Sequence, residues 1–204
     1  MTTLILDADF EAQTLAQRRA LGLDRFDEVW DGVYIMAPLA NNEHQDLRSS
    51  LAAAMRNAVG WDGPERVHAG ANVSDREEGW LHNYRIPDVV VVYPGGAARD
   101  CDTHWCGGPD FCVEIASPGD RSHDKLDFYA RIGVRELLLV DRDPWDVQLY
   151  RLANGRLQLV GHSDASGGDV IASEVVPVSF RLVPGAPRPK IEVTHRDDAR
   201  HWIV

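Results

Sequence analysis

The sequence predicts an α/β fold, and three stretches carry that expectation. Residues 111–141 read as strand, turn, helix and strand in succession. Residues 89–92 are four consecutive valines, the β-branched run expected of a buried central strand. Between about residues 42 and 59, Leu47, Leu51 and Met55 recur every four residues and define the apolar stripe of a helix.

The 111–141 unit is the most informative. Phe111, Val113 and Ile115 alternate with Cys112, Glu114 and Ala116, the period of a pleated strand. One face is large and apolar; the other presents Glu114 between small neighbours. Pro118 and Gly119 break the strand. Asp120 or Ser122 can cap the helix that follows, Asp124 suits its N-terminal end, and Gly133 is placed to close it. Leu137–Val140 then supplies a second buried strand, and 89–92, 111–116 and 137–140 are expected to be neighbours in one sheet.

The other elements follow from turn chemistry. Residues 10–23 read as an exposed helix, and Asp31–Gly32 marks a hairpin between two β-rich runs. Asn41 or Asn42 can cap the central helix. Residues 66–73 read as a strand and 75–80 as a charged loop. Beyond Asp141, Asn154–Gly155 marks a hairpin joining 146–152 to 156–161. Residues 170–171 and 174–182 read as further strands, with Pro177 at an edge or bulge, and 191–194 pairs with 201–204 around Asp197–Asp198. One domain over 1–204 is expected, with a core of about 25–152 and a C-terminal β extension over 153–204.

Composition narrows the function. The chain is 44% hydrophobic and 26% charged, ordinary for a globular protein. No stretch approaches the roughly 20 apolar residues of a membrane span, so no membrane partner is expected. Three cysteines favour a reducing compartment, and the N-terminus lacks a secretory pattern, which together point to the cytoplasm. A net charge of −11 opposes broad non-specific affinity for nucleic acid.

Several residues could carry chemistry. Asp88 stands at the entrance of the valine strand, a position where an Asp is usually a turn residue. Glu114 is an acid on a core strand, which requires a partner because desolvating a lone carboxylate costs several kcal/mol. Lys125 lies on the next helix. If the strands are neighbours, the Asp88 and Glu114 carboxylates converge and, with waters, suit magnesium or manganese. Glu43 sits one turn before Leu47 and would extend the buried stripe, though an acid there also suits the helix dipole. His44 is a candidate for proton transfer or substrate contact. The Cys101, His104 and Cys106 loop has soft ligands at an unfamiliar spacing, so a surface loop is the better reading than zinc.

The ordered set Pro87–Asp88, Val113–Glu114, Ser117–Arg121, Lys125–Tyr129, Gly133–Val134 and Leu139–Asp141 resembles the Uma-two-type restriction endonuclease family, within the PD-(D/E)xK nuclease superfamily. The Trp30–Pro38 stretch followed by Glu43–His44 adds to the likeness, which runs from about Arg25 to Leu152. The resemblance implies a restriction-endonuclease-like fold, a central mixed β-sheet flanked by helices, with the C-terminal β-hairpins as an addition. It implies magnesium-dependent hydrolysis of DNA, commonly by a homodimer, with Asp88 and Glu114 as the metal pair. The lysine that the superfamily places two residues after the glutamate is Ala116 here, and Lys125, four before Tyr129, looks like its relocated counterpart. Glu43 would join the catalytic set, with His44 and Arg121 contacting substrate. The alternative is a non-catalytic binding or regulatory module on the same scaffold, favoured by the net charge and by Ala116.

Overall fold

Strand alternation at the centre of the chain decides its layering, because each apolar face must be covered by a helix or a second sheet. The computed structural model describes residues 7–117, 121–166, 168–197 and 199–204. In chain order, the first half holds α1 (Ala8–Ala20), β1 (Glu28–Trp30), β2 (Val33–Ile35), α2 (Asn42–Val59), β3 (Arg66–Ala69) and β4 (Val73–Ser74). Next come β5 (Tyr84–Arg85), β6 (Val89–Val92), β7 (Arg99–Asp100), β8 (Trp105–Cys106), β9 (Phe111–Ile115) and α3 (Leu126–Ile132). The last part holds β10 (Glu136–Arg142), β11 (Trp145–Ala153), β12 (Arg156–Asp164), β13 (Ile171–Ala172), β14 (Val178–Val183), β15 (Lys190–His195) and β16 (His201–Ile203).

The central sheet runs β12-β11-β10-β9-β6-β3. Only β9 and β10 are parallel, joined through α3, while their outer neighbours are antiparallel, so the sheet is mixed. The three apolar strands read from sequence are therefore adjacent, as expected. On one face, Val89, Val91, Val113 and Ile115 pack with Leu47, Leu51 and Met55 of α2 and with Phe180, Leu182, Ile191 and Val193 of the C-terminal sheet. On the other, Val90, Cys112 and Leu137 pack with Phe128 and Tyr129 of α3. Glu114 shares the parity of Cys112, so its side chain leaves the sheet on the α3 side.

Local rules explain most boundaries. Asn41 caps α2, its side chain accepting from the His44 amide at 2.9 Å. Asp31 and Gly32 have φ of 48° and 85°, the paired positive values of a tight hairpin turn between β1 and β2. Gly133 ends α3 in the left-handed region at φ 89°. The predicted helix start is different: residues Ser122–Lys125 form a 3-10 turn with Arg121 at its cap position. Asp120 lies outside the described residues.

Two predicted strands are corrected. Residues 66–73 do not form one strand, because the chain breaks at Gly70, with φ 71°, and β3 and β4 join different sheets. In the 174–182 stretch only Val178 onward is strand. The Ser173 hydroxyl oxygen accepts from the amides of Val175 and Val176, and this local turn diverts the preceding residues from the ladder.

The N-terminal sheet, β2-β1-β5-β4-β8-β7, is laid against the α3 side through β1. Asp27 anchors it. Buried to 1% exposure, its carboxylate accepts from Arg18 at 2.6 and 2.7 Å, from the Tyr34 hydroxyl at 2.7 Å and from the Ala37 amide at 2.7 Å. Burial, then the bond to Asp27, raises the Tyr34 pKa, so the phenol stays a donor. No residue of α1 is buried, so Arg18–Asp27 is a principal tie between that helix and the hairpin. Asp27→Ala is expected to cost about 3–5 kcal/mol in urea unfolding, because it strands several buried donors. A loss below about 1 kcal/mol would contradict that role.

Candidate active site

The site forms where the C-terminal end of β9 meets the start of β6. Val89 pairs with Val113, and continuing that antiparallel register sets Asp88 across from Glu114. Asp88 is 8% exposed and Glu114 2%. Neither carboxylate is bare. Asp88 Oδ2 accepts from the Ile115 amide at 2.8 Å and lies 3.4 Å from His44 Nε2 on α2. Asp88 Oδ1 accepts no hydrogen bond among the described residues.

Glu114 is gripped from the opposite layer. Lys125 Nζ donates to its two oxygens at 3.1 and 3.0 Å, and the Tyr129 hydroxyl donates to Oε1. Lys125 and Tyr129 are four residues apart, so one helical face delivers both donors. The same ammonium donates to Glu28 Oε1 at 2.9 Å, and Glu28 also accepts from the Ile86 amide at 2.7 Å and from Trp30 Nε1 at 2.6 Å.

The electrostatics follow from burial. Desolvation pushes the Glu114 carboxyl up to about 8; Lys125 pulls it down, while the charges of Glu28 and Asp88 add to the rise. Burial disfavours the Lys125 ammonium, yet Glu114 and Glu28 outweigh it and raise its pKa. Burial also raises the Tyr129 phenol well above its ordinary range, which keeps it a donor. Glu28, Asp88 and Glu114 offer three carboxylates to one ammonium. The buried Arg85 guanidinium also acts on Glu28, so when all three are ionised and His44 is neutral one negative charge remains unmatched.

That donor set fits a hard divalent ion. Magnesium keeps several waters and needs one or two carboxylates from the protein, and Asp88 Oδ1 has an unused acceptor. Glu114 would have to exchange contacts with Lys125 to serve as well. Among the described residues, no group of three His, Cys, Asp or Glu side chains is already arranged as a metal centre.

The remaining expectations divide. Glu43 was expected to continue the buried stripe of α2, but the inward position belongs to His44, which shares a face with Leu47 and Leu51. The stripe follows i, i+3 and i+7 at that end, leaving Glu43 on its shoulder. There Glu43 is 3.0 Å from Arg142 Nη1 and 3.7 Å from Arg188 Nε. His44 instead reaches Asp88, and its Nδ1 is buried with no hydrogen-bond partner. Arg121 pairs with Asp124 at 2.7 Å and lies over the Trp30 ring at 4.6 Å. His104, from the cysteine loop, is buried, stacked on Trp80 and bonded to the Arg76 carbonyl at 3.0 Å.

Two participants were missed. Glu28 shares its face of β1 with Trp30, so an acid on the parity of a large aromatic was the available signal. Arg142 follows the apolar run of β10 and donates to the Ala116 carbonyl, Ser117 Oγ, Asn41 Oδ1 and Glu43. It clamps the strand end to the start of α2. Nothing in the local sequence marked it.

Comparison with known proteins gives the family and a likeness of fold. Residues 18–185 match the Uma2 family model, described as "Putative restriction endonuclease". A solved structure from Anabaena variabilis ATCC 29413, titled a "putative nuclease belonging to DUF820", is similar at TM-score 0.53 and 18% identity. The match covers 65% of this chain and 75% of that one, and it bears on the fold alone. A search of curated proteins found no match. The family match spans the β1–β2 hairpin, α2, the Asp88–Glu114 strands and α3, and the chain belongs to the Uma2 family.

Proposed function

We propose that the protein is a metal-dependent nuclease that hydrolyses DNA phosphodiesters at the Asp88–Glu114 site, with magnesium or manganese as its cofactor. The observation that carries this reading is the meeting, at one strand end, of Asp88, Glu114 and Glu28 with a single buried lysine. Membership of a family described as restriction endonucleases supports it. A bound divalent cation supplies charge neutralisation at the phosphate and a more acidic water.

The chain's own groups have separable roles in this reading. Asp88 offers Oδ1 while the Ile115 amide and His44 hold Oδ2 in place. Glu114 offers the second carboxylate. Lys125, freed from Glu114, stays anchored by Glu28 and presents its ammonium to the attacking water or the phosphate oxygens. Glu43 is a weaker candidate for the catalytic set, because two arginines already hold it at the rim.

A second reading, a non-catalytic module on the same scaffold, is favoured by one observation: both Glu114 oxygens are occupied by Lys125. The test is incubation of purified protein with labelled DNA and manganese or magnesium. Slow cleavage that chelator abolishes is expected. Metal binding without cleavage of DNA or RNA would favour the module.

A further inference from the structure

Beside the carboxylates, cations and aromatic rings alternate in one continuous stack. Arg121 lies over the Trp30 ring at 4.6 Å, and Arg85 over the same ring at 4.6 Å. Arg85 lies also over Phe128 at 4.2 Å, and Arg131 is 5.9 Å from Phe128. The middle of the ladder is closed, since Arg85 and Phe128 are buried. Its Arg121 end is open, with 43% of that side chain exposed. Asp124 takes Arg121 through Nε, a contact at the edge of the guanidinium that does not use its faces.

The ladder is wired to the reacting groups. Glu28 and Trp30 leave β1 on the same face, and Trp30 Nε1 donates to Glu28 Oε2 at 2.6 Å. Glu28 shares Lys125 with Glu114. A chain of contacts, Arg121 to Trp30 to Glu28 to Lys125, therefore links the platform to Glu114.

The exposed cations at the two ends of the ladder are already engaged by acids. Arg121 pairs with Asp124, and Arg131 with Asp31 at 3.8 Å. With a net charge of −11, phosphate neutralisation is a poor source of affinity. Base stacking remains, at about 1–3 kcal/mol per base, and guanidinium planes accept bases as aromatic rings do. Bases inside a duplex are already stacked on their neighbours and cannot reach such a platform without unpairing.

We infer that the site takes an unpaired nucleic-acid strand, one base of which stacks on the Arg121 guanidinium at the open end of the Trp30 ladder. This rests on the nuclease reading above and adds the class of substrate to it.

The test is binding by the full chain, with calcium as the metal, followed by fluorescence anisotropy. The probes are a labelled single-stranded oligonucleotide, its duplex, and an abasic single strand with the same phosphates. The single strand should bind at least about tenfold more tightly than either other probe. Arg121→Ala and Arg121→Lys should both lose about tenfold, because lysine restores the charge but not the plane. Trp30→Leu should lose a similar factor, with its melting temperature measured alongside; Arg121 is exposed, so its variants keep the test decisive if Trp30→Leu misfolds. Full rescue by Arg121→Lys, equal binding of the abasic strand, or preference for the duplex would overturn the inference. Manganese-dependent cutting of duplex over single strand would overturn it while leaving the nuclease reading standing. Neither binding nor cutting of any nucleic acid would overturn both.

Discussion

Glu114→Gln is expected to abolish metal-dependent cleavage while making the metal-free protein more stable at alkaline pH. Activity should fall by at least about a thousandfold, since a lost carboxylate removes several kcal/mol of charge stabilisation and about 4 kcal/mol corresponds to that factor. Asp88→Asn should fall similarly. Stability should move the other way. The folded state holds the Glu114 proton up to about pH 8, against an ordinary value of 4.5. Between those values the native state binds more protons than the unfolded chain, so wild-type stability falls as pH rises through that window. The slope is at most about 1.4 kcal/mol per pH unit. Glutamine has no proton to lose, so the variant should lack this slope and exceed wild type at pH 8 and above. Urea unfolding from pH 5 to 9 measures both. Parallel wild-type and variant profiles would contradict the raised pKa of Glu114.

Lys125→Met should have the second large effect. Its ammonium is the cation shared by Glu28 and Glu114, 2.9 and 3.0 Å away. Methionine fills similar space without charge, leaving two buried carboxylates to repel. Removing one partner of a buried pair costs about 3–5 kcal/mol, and here the loss should grow with pH as Glu114 ionises. The variant should bind manganese no more weakly than wild type, because Glu114 loses a competitor for its oxygens. Cleavage should nevertheless be lost, since the ammonium acts on the water or the phosphate. Weakened manganese binding with cleavage retained would show that Lys125 orders the carboxylates and does nothing else.

Much of the framework could be read from sequence because local signals and tertiary packing agree there. The valine run, the alternation of 111–115, the Asp31–Gly32 turn and the Asn41 cap each name their element without long-range information. The pairing of Glu114 with Lys125 also lay within one strand–helix unit. What sequence reading missed depends on contacts between distant segments. Glu28 acquires its role only when β1 meets Lys125, 97 residues away along the chain. Glu43 and His44 differ by about 100° around α2, and the pattern at Leu47, Leu51 and Met55 fits either phase. The structure resolves it because Asp88 awaits His44, whereas Arg142, 99 residues from Glu43, takes the glutamate at the rim. The break at Gly70 is similar: residues 66–69 and 73–74 are both β-prone, and only the two sheets competing for them separate the strands.

The central claim is that Asp88 and Glu114 together hold the divalent ion. Anomalous diffraction from crystals soaked in manganese, collected for wild type and Asp88→Asn, tests it most directly. The expected result is one strong peak in contact with Asp88 Oδ1 and a Glu114 oxygen, with Lys125 moved off Glu114 and still on Glu28, and no peak in the variant. A wild-type map with no peak at these carboxylates under conditions where DNA is cut, or a peak that persists in Asp88→Asn, would contradict it.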